Sequence, residues 1–330
     1  MPEHPTPARP RRRRLLLAGG LACTLAVGFA LGSTRAAPVG HWRSAEGRAT
    51  YLEAYDTAFA ALPESAETHD VRTDYGVVRV YRFAGHGTAR SPLLLLPGTT
   101  SGAPMWADNL PSLMQIGDVY ALDLLGEPGH SIQDRPILDD ADKAAWLAQV
   151  IAALPEQSVH LVGLSIGGWT ALNLALHHPD GIAGVSLLDP VVSFADIPWA
   201  TIVRSPAAVL PWLPRSWRDA FTSYVSGGAE VEDLPVAHMI EAGMAHYRMT
   251  APPPTRITPE RLGALTVPVL AIIAGRSVIH DPAQAAETAR AALPDGRVVV
   301  LAGASHALSG EYPEEIAALI TDFVAEIAAR

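Results

Sequence analysis

The chain predicts an α/β fold, with a mostly parallel sheet, helices on both faces and a helical cap inserted after the sixth strand. Three observations predict it. Short Val, Leu and Ile runs alternate with helical patterns from residue 93 to the C-terminus, and unbroken apolar strands of this kind belong to a sheet buried on both faces. That rhythm fails between Val191 and Leu265, where helix-like pieces are broken by Pro198, Pro206, Pro211, Pro214 and "APPPT". A structureless loop of that length is uncommon in a compact domain, so the interval needs structure of its own. Finally, 330 residues at 49% hydrophobic and 18% charged are enough for one large core and a smaller insertion.

Taken in order, Ser44 is placed to cap a helix over 44–62, in which Tyr51, Tyr55, Phe59 and Leu62 recur at spacings of three and four. The stretch "THDVRTDYGVVRVYRF" alternates around Tyr75 and Gly76 as a hairpin does. Strands follow at 93–97, 118–124, 158–164, 182–189, 268–274 and 297–303, with helices near 106–114, 139–153, 167–178, 283–293 and 313–328. The core is expected to comprise residues 37–190 and 266–330, and the cap residues 191–265. The aromatic and Met residues of the cap, Trp199, Trp212, Trp217, Phe221, Tyr224, Met239, Met244, Tyr247 and Met249, are expected mainly in its own core. They would also roof the sheet edge with apolar surface.

Residues 1–36 read as a signal peptide or a membrane anchor. Arg11 to Arg14 precede 18 uncharged residues, Leu15 to Gly32, and small residues follow. Cleavage is favoured because Gly19, Gly20, Gly28 and Gly32 leave the run only mildly hydrophobic; an uncleaved tether through residues 15–32 is the alternative, since 18 residues just span a bilayer. Either way the chain is expected to be exported. Cys23 is the only cysteine, so a cleaved chain would have neither a disulfide nor a cysteine-based metal site.

The net charge of −10 understates the acidity of the body, because residues 1–36 hold six Arg and one acid, leaving 18 bases against 33 acids. An acidic body without a basic stripe excludes nucleic acid as an expected partner, since phosphates would be repelled. No His and carboxylate set stands at metal-ligand spacing. Neither a metal nor a cofactor is expected.

Gly163-Leu164-Ser165-Ile166-Gly167 is a G-x-S-x-G between a predicted strand and a predicted helix. In that setting the glycines allow a turn so tight that the serine hydroxyl is pushed out above the sheet. Here the chain, from about Thr68 to its C-terminus, resembles the α/β-hydrolase family, specifically its serine carboxylesterases and lipases. The resemblance implies a nucleophile, an acid and a His in that chain order, each on a loop at the C-terminal edge of the sheet. Ser165 matches the nucleophile. His306, in "AGASHALSGEYPEEI" after the last strand, matches the general base.

The usual home of the acid, "AGRSVIHDP" at 274–282, begins Gly275, Arg276, Ser277, Val278. Asp189 ends the strand before it, 24 residues past Ser165, and family members are known with the acid there. Asp189 is the expected acid, and Asp281 the alternative, although Asp281 reads more simply as the cap of a helix beginning at Pro282. The resemblance also implies oxyanion donors at the backbone N–H of Ile166 and in the loop "PGTTSG" (97–102), with Thr99 first and Thr100 next. Within "DLLGEPGHS" (123–131), Glu127 reads as a turn residue and His130 as structural.

The function expected is a serine hydrolase acting on a small-molecule carboxylic ester, with an uncharged, partly hydrophobic substrate and an acyl-enzyme. Lactonase, thioesterase, amidase and cofactor-free haloperoxidase chemistry would use the same triad, and a non-catalytic exported binding protein would keep the scaffold. The sequence does not separate these or give the oligomeric state.

Overall fold

The computed structural model describes residues 37–65, 67–210 and 212–330. The proposed export segment therefore lies outside the described residues. Among the described residues eleven strands are formed: β1 (His41–Trp42), β2 (Glu67–Thr73), β3 (Gly76–Phe83), β4 (Leu93–Leu96), β5 (Val119–Leu122), β6 (Ile132–Gln133), β7 (Val159–Leu164), β8 (Ile182–Leu188), β9 (Tyr247–Arg248), β10 (Val269–Ala274) and β11 (Gly296–Leu301). The longer helices are α1 (Ala45–Phe59), α2 (Asp140–Ala153), α3 (Ile166–His177), α4 (Arg215–Val225), α5 (Pro235–His246), α6 (Pro282–Ala292) and α7 (Pro313–Ala328).

The main sheet runs β11-β10-β8-β7-β4-β5-β3-β2, with β6 paired to β3. It is parallel from β11 to β5 and antiparallel at the β2–β3 and β3–β5 pairs. The strand period divides each run between two cores: Leu94 and Leu96 pack with Leu147, Val150, Trp169, Leu172 and Ala289 on one face, while Leu93 and Leu95 pack with Tyr51, Tyr55, Ile316, Ile320 and Phe323 on the other. Helices α2, α3 and α6 thus cover one face, and α1 and α7 the opposite one. Residues Val39–Arg330 form one compact unit that contains every strand and both cores, so this part has what it needs to fold by itself.

The sequence pattern and the structure part company in three places. The expected helix over 106–114 is a 3₁₀ turn (Ala103–Trp106) and a single helical turn (Leu110–Leu113); Pro111 has no N–H for a continuous helix, so the second turn starts around it. Between β8 and β10 lie the turns Trp199–Ile202, Pro206–Val209 and Pro259–Leu262 together with α4 and α5, but also the two-residue strand β9. That strand pairs antiparallel with β1, Trp42 opposite Tyr247. Pieces as short as β1, β6 and β9 show no period in sequence, because two residues cannot establish one.

Candidate active site

Every loop that carries chemistry leaves the C-terminal edge of the sheet. β7 ends at Leu164 and Ser165 follows with φ 54° and ψ −116°, a conformation strained for any residue with a side chain. The neighbours make it affordable. A Cβ on Gly163 would lie 2.4 Å from the backbone of Gly167, and one on Gly167 would lie 2.1 Å from the carbonyl oxygen of Leu96, so only glycine fits on either side. The Ser165 N–H donates to the Leu188 carbonyl (3.0 Å), and its own carbonyl accepts from Trp169 (3.1 Å) and Val191 (3.3 Å). The elbow is thereby tied to the end of β8.

Asp189 follows β8 with φ 44° and is wholly buried. Its N–H donates to Ile272 (2.8 Å). Oδ1 accepts from the Ala274 N–H (3.0 Å), and Oδ2 accepts from the Ser277 hydroxyl (2.6 Å) and pairs with His306 Nδ1 (2.7 Å). A second imidazole, His280, brings Nε2 to 2.9 Å from Oδ1. Its approach misses hydrogen-bond geometry, and neither ring nitrogen has a hydrogen-bond partner among the described residues. Burial alone would raise the Asp189 carboxyl; the contacts to His280 and His306 outweigh it and hold the group well below the usual carboxylate range.

The structure brings Asp189 and His306 together. No hydrogen bond joins Ser165 Oγ to His306 among the described residues; such bonds commonly tighten only when substrate arrives. Asp281 stands apart: it caps α6, accepting from the Gln284 N–H at 2.9 Å. The His306 loop is pinned one residue earlier, where Ser305 donates to Glu311 through its N–H (2.7 Å) and its hydroxyl (2.6 Å).

The loop after β4 places Thr99 and Thr100 beside this edge. Thr100, at φ 58°, donates its N–H to Glu127 Oε2 at 3.0 Å, and the Thr99 hydroxyl donates to the same carboxylate at 3.1 Å. Thr100 N–H is therefore occupied, whereas the N–H groups of Thr99 and Ile166 have no acceptor among the described residues. Glu127 is no mere turn residue; it latches the loop that bears one of the candidate oxyanion donors. The backbone N–H of His130 donates to the buried Asp123 at 2.7 Å.

Burial pushes the Glu127 carboxyl up from 4.5 to about 7, against the downward pull of the Thr100 and Thr99 donors. The folded state then binds a proton that the unfolded state has released, so this group costs stability as pH rises from 4.5 to about 7. Glu127→Gln, neutral throughout, is expected to lack that loss. Thermal melts across the window should show the variant gaining on the parent protein as pH rises, and a constant gap would refute the shift.

Ser277, His280, Glu127 and Glu311 are the site residues that sequence reasoning missed. A signal existed for the first two: the loop lacking a carboxylate offers a hydroxyl and an imidazole instead, the groups that an acid displaced to the neighbouring strand would need. No cluster of three or more His, Cys, Asp or Glu among the described residues is arranged to hold a metal.

A strained serine elbow and a buried Asp–His pair at the C-terminal edge of a doubly covered sheet define a hydrolase-type site. The chain belongs to the alpha/beta hydrolase family, whose model matches residues 93–319. It is 26% identical over 281 residues to the uncharacterized carboxylesterase nap of Bacillus subtilis (strain 168), covering 80% of this chain and 88% of that one. The crystal structure of naproxen esterase from Bacillus subtilis superposes with a TM-score of 0.77 at 24% identity, over 85% of this chain and 99% of the other. A membrane phospholipase A superposes with a TM-score of 0.67 at 20% identity, over 96% of this chain and all of that one.

Proposed function

We propose that the protein is a serine carboxylesterase that works through an acyl-enzyme, with Ser165 as nucleophile, His306 as general base and Asp189 as the acid. The single observation that carries the reading is the Asp189 carboxylate, buried and 2.7 Å from His306 Nδ1, on the edge where the Ser165 elbow projects. The carboxylesterase relative and the naproxen esterase fold support the ester as substrate class.

In the reaction, Ser165 Oγ attacks the ester carbonyl while His306 Nε2 takes its proton. The N–H groups of Thr99 and Ile166 stabilise the oxyanion. Collapse expels the alcohol, which receives the proton from His306, and water then repeats the sequence on the acyl-enzyme. Asp189 holds the His306 tautomer and balances the imidazolium. Residues 191–265 act as the cap over this edge, with an uncharged, partly hydrophobic ester group beneath it. Residues 1–36 direct export; intact mass of the protein from its native host distinguishes a cleaved signal from a retained anchor.

Hydrolysis of p-nitrophenyl esters of graded chain length by residues 37–330 tests the activity, and the optimum sizes the acyl pocket. No turnover of any ester would overturn the reading.

A further inference from the structure

A cleft beside the reaction centre is basic on a body that is otherwise acidic. It holds about 400 Å³, and its walls include Arg43, Arg248, Thr100, Leu210, Met244 and Met249. No carboxylate stands among its described lining residues, whereas the chain from residue 37 onward has 18 bases against 33 acids. The volume suits a small molecule. One wall touches the loop that carries the Thr99 N–H, because Met249 Sδ lies 3.8 Å from the Thr99 hydroxyl.

Strand pairing sets the two arginines side by side. β1 and β9 run antiparallel, with His41 opposite Arg248 and Trp42 opposite Tyr247. The Arg43 N–H donates to the His246 carbonyl at 2.8 Å, so the same register carried one residue further puts Arg43 opposite His246. Side chains alternate along a strand, which places Arg43 and Arg248 on one face, diagonal to each other. Partial burial and then the neighbouring Arg248 charge hold Arg43 below its ordinary pKa, and no carboxylate counters them. Glu127, behind the Thr100 wall, does not neutralise the pair: it is engaged by Thr99 and Thr100, and burial biases it toward the uncharged acid.

Like charges on paired strands repel, and an anion in the cleft would relieve that repulsion. A cleft of one sign with apolar walls concentrates its field on a ligand of the opposite sign, and a guanidinium can grip a carboxylate or phosphate through two oxygens. Leu210, Met244 and Met249 give the cleft room for a hydrocarbon stem as well.

Building on the esterase reading, we propose that this cleft receives the far end of the substrate and that this end is anionic, held by Arg43 and Arg248 while the uncharged ester group lies at Ser165. The test compares kcat/KM within matched pairs of esters, using residues 37–330. Mono-p-nitrophenyl esters of adipic, suberic and sebacic acid against neutral alkanoates of equal length put the charge on the acyl side. The butyrates of 4-hydroxybenzoate and 4-hydroxybenzamide put it on the alcohol side. The parent is expected to prefer the anionic member of at least one pair about tenfold or more, the scale of a charged hydrogen bond, and to lose that preference as salt is raised. R43Q/R248Q should abolish the preference, and Arg43→Lys should keep part of it. Arg90→Gln, which removes a positive charge outside the cleft, should leave the preference intact. Neutral esters turned over as well as both anionic kinds, or a preference that survives in R43Q/R248Q or is lost equally in Arg90→Gln, would overturn the proposal and leave the esterase reading standing. No turnover of any ester would overturn both. The parent's preference and its salt dependence decide without any variant.

Discussion

Replacing Ser165 by Ala is expected to lower kcat on p-nitrophenyl esters by about 10⁶-fold, leaving only what ester binding and oxyanion stabilisation provide. The residue sits at φ 54° between two glycines that exclude any side chain, a strain with no evident role in packing. Alanine fits the same space, so the variant should fold and melt as the parent does, or slightly higher once the hydroxyl is gone. An active-site fluorophosphonate probe should label the parent and not the variant. Residual activity within tenfold of the parent would mean that another group is the nucleophile, and the proposed reaction would fail with it.

The second large effect is expected at Asp189. Asp189→Asn should reduce kcat by about 10⁴, the magnitude of the equivalent change in a serine protease. The amide cannot balance an imidazolium, and it presents a donor where His306 Nδ1 requires an acceptor. The change also removes the charge that three neighbours are arranged around: Ser277 and Ala274 donate to the carboxylate, and His280 stands 2.9 Å away. A drop in stability should accompany the loss of rate, largest above the unfolded-state carboxylate pKa of about 3.9, where the depressed Asp189 contributes, and vanishing as pH falls through its folded-state value. Asp281→Asn serves as the control. Asparagine is itself a good helix cap, so that change should leave the rate within a few-fold of the parent. The reverse pattern, with Asp281 crippling and Asp189 mild, would reassign the acid.

Much of this was legible in the sequence because it rests on local geometry. The six Val, Leu and Ile runs became strands within a residue or two of their expected bounds, since a run apolar on both sides suits only a sheet covered on both faces. Ser165 was legible for a related reason: the two glycines that make its turn sterically possible are themselves neighbours in the chain. The spacing of 24 residues placed Asp189 one strand away, and chain order placed His306 after the last strand.

What the tertiary structure alone decided depends on groups far apart in sequence. Ser277 and His280 converge on Asp189 because β8 and β10 are adjacent in the sheet, although about 90 residues separate them. Glu127 meets Thr99 and Thr100 because β4 and β5 are adjacent, and in sequence it looks like any turn carboxylate. The side chains of Trp199, Trp212 and Trp217 were expected in a core and lie at the surface: hydrophobicity records that a residue gains by leaving water, but not whether protein or some other apolar medium receives it. Local sterics are written in consecutive residues, whereas the partner of a buried charge or of an exposed indole is set by which strands and surfaces the fold makes neighbours.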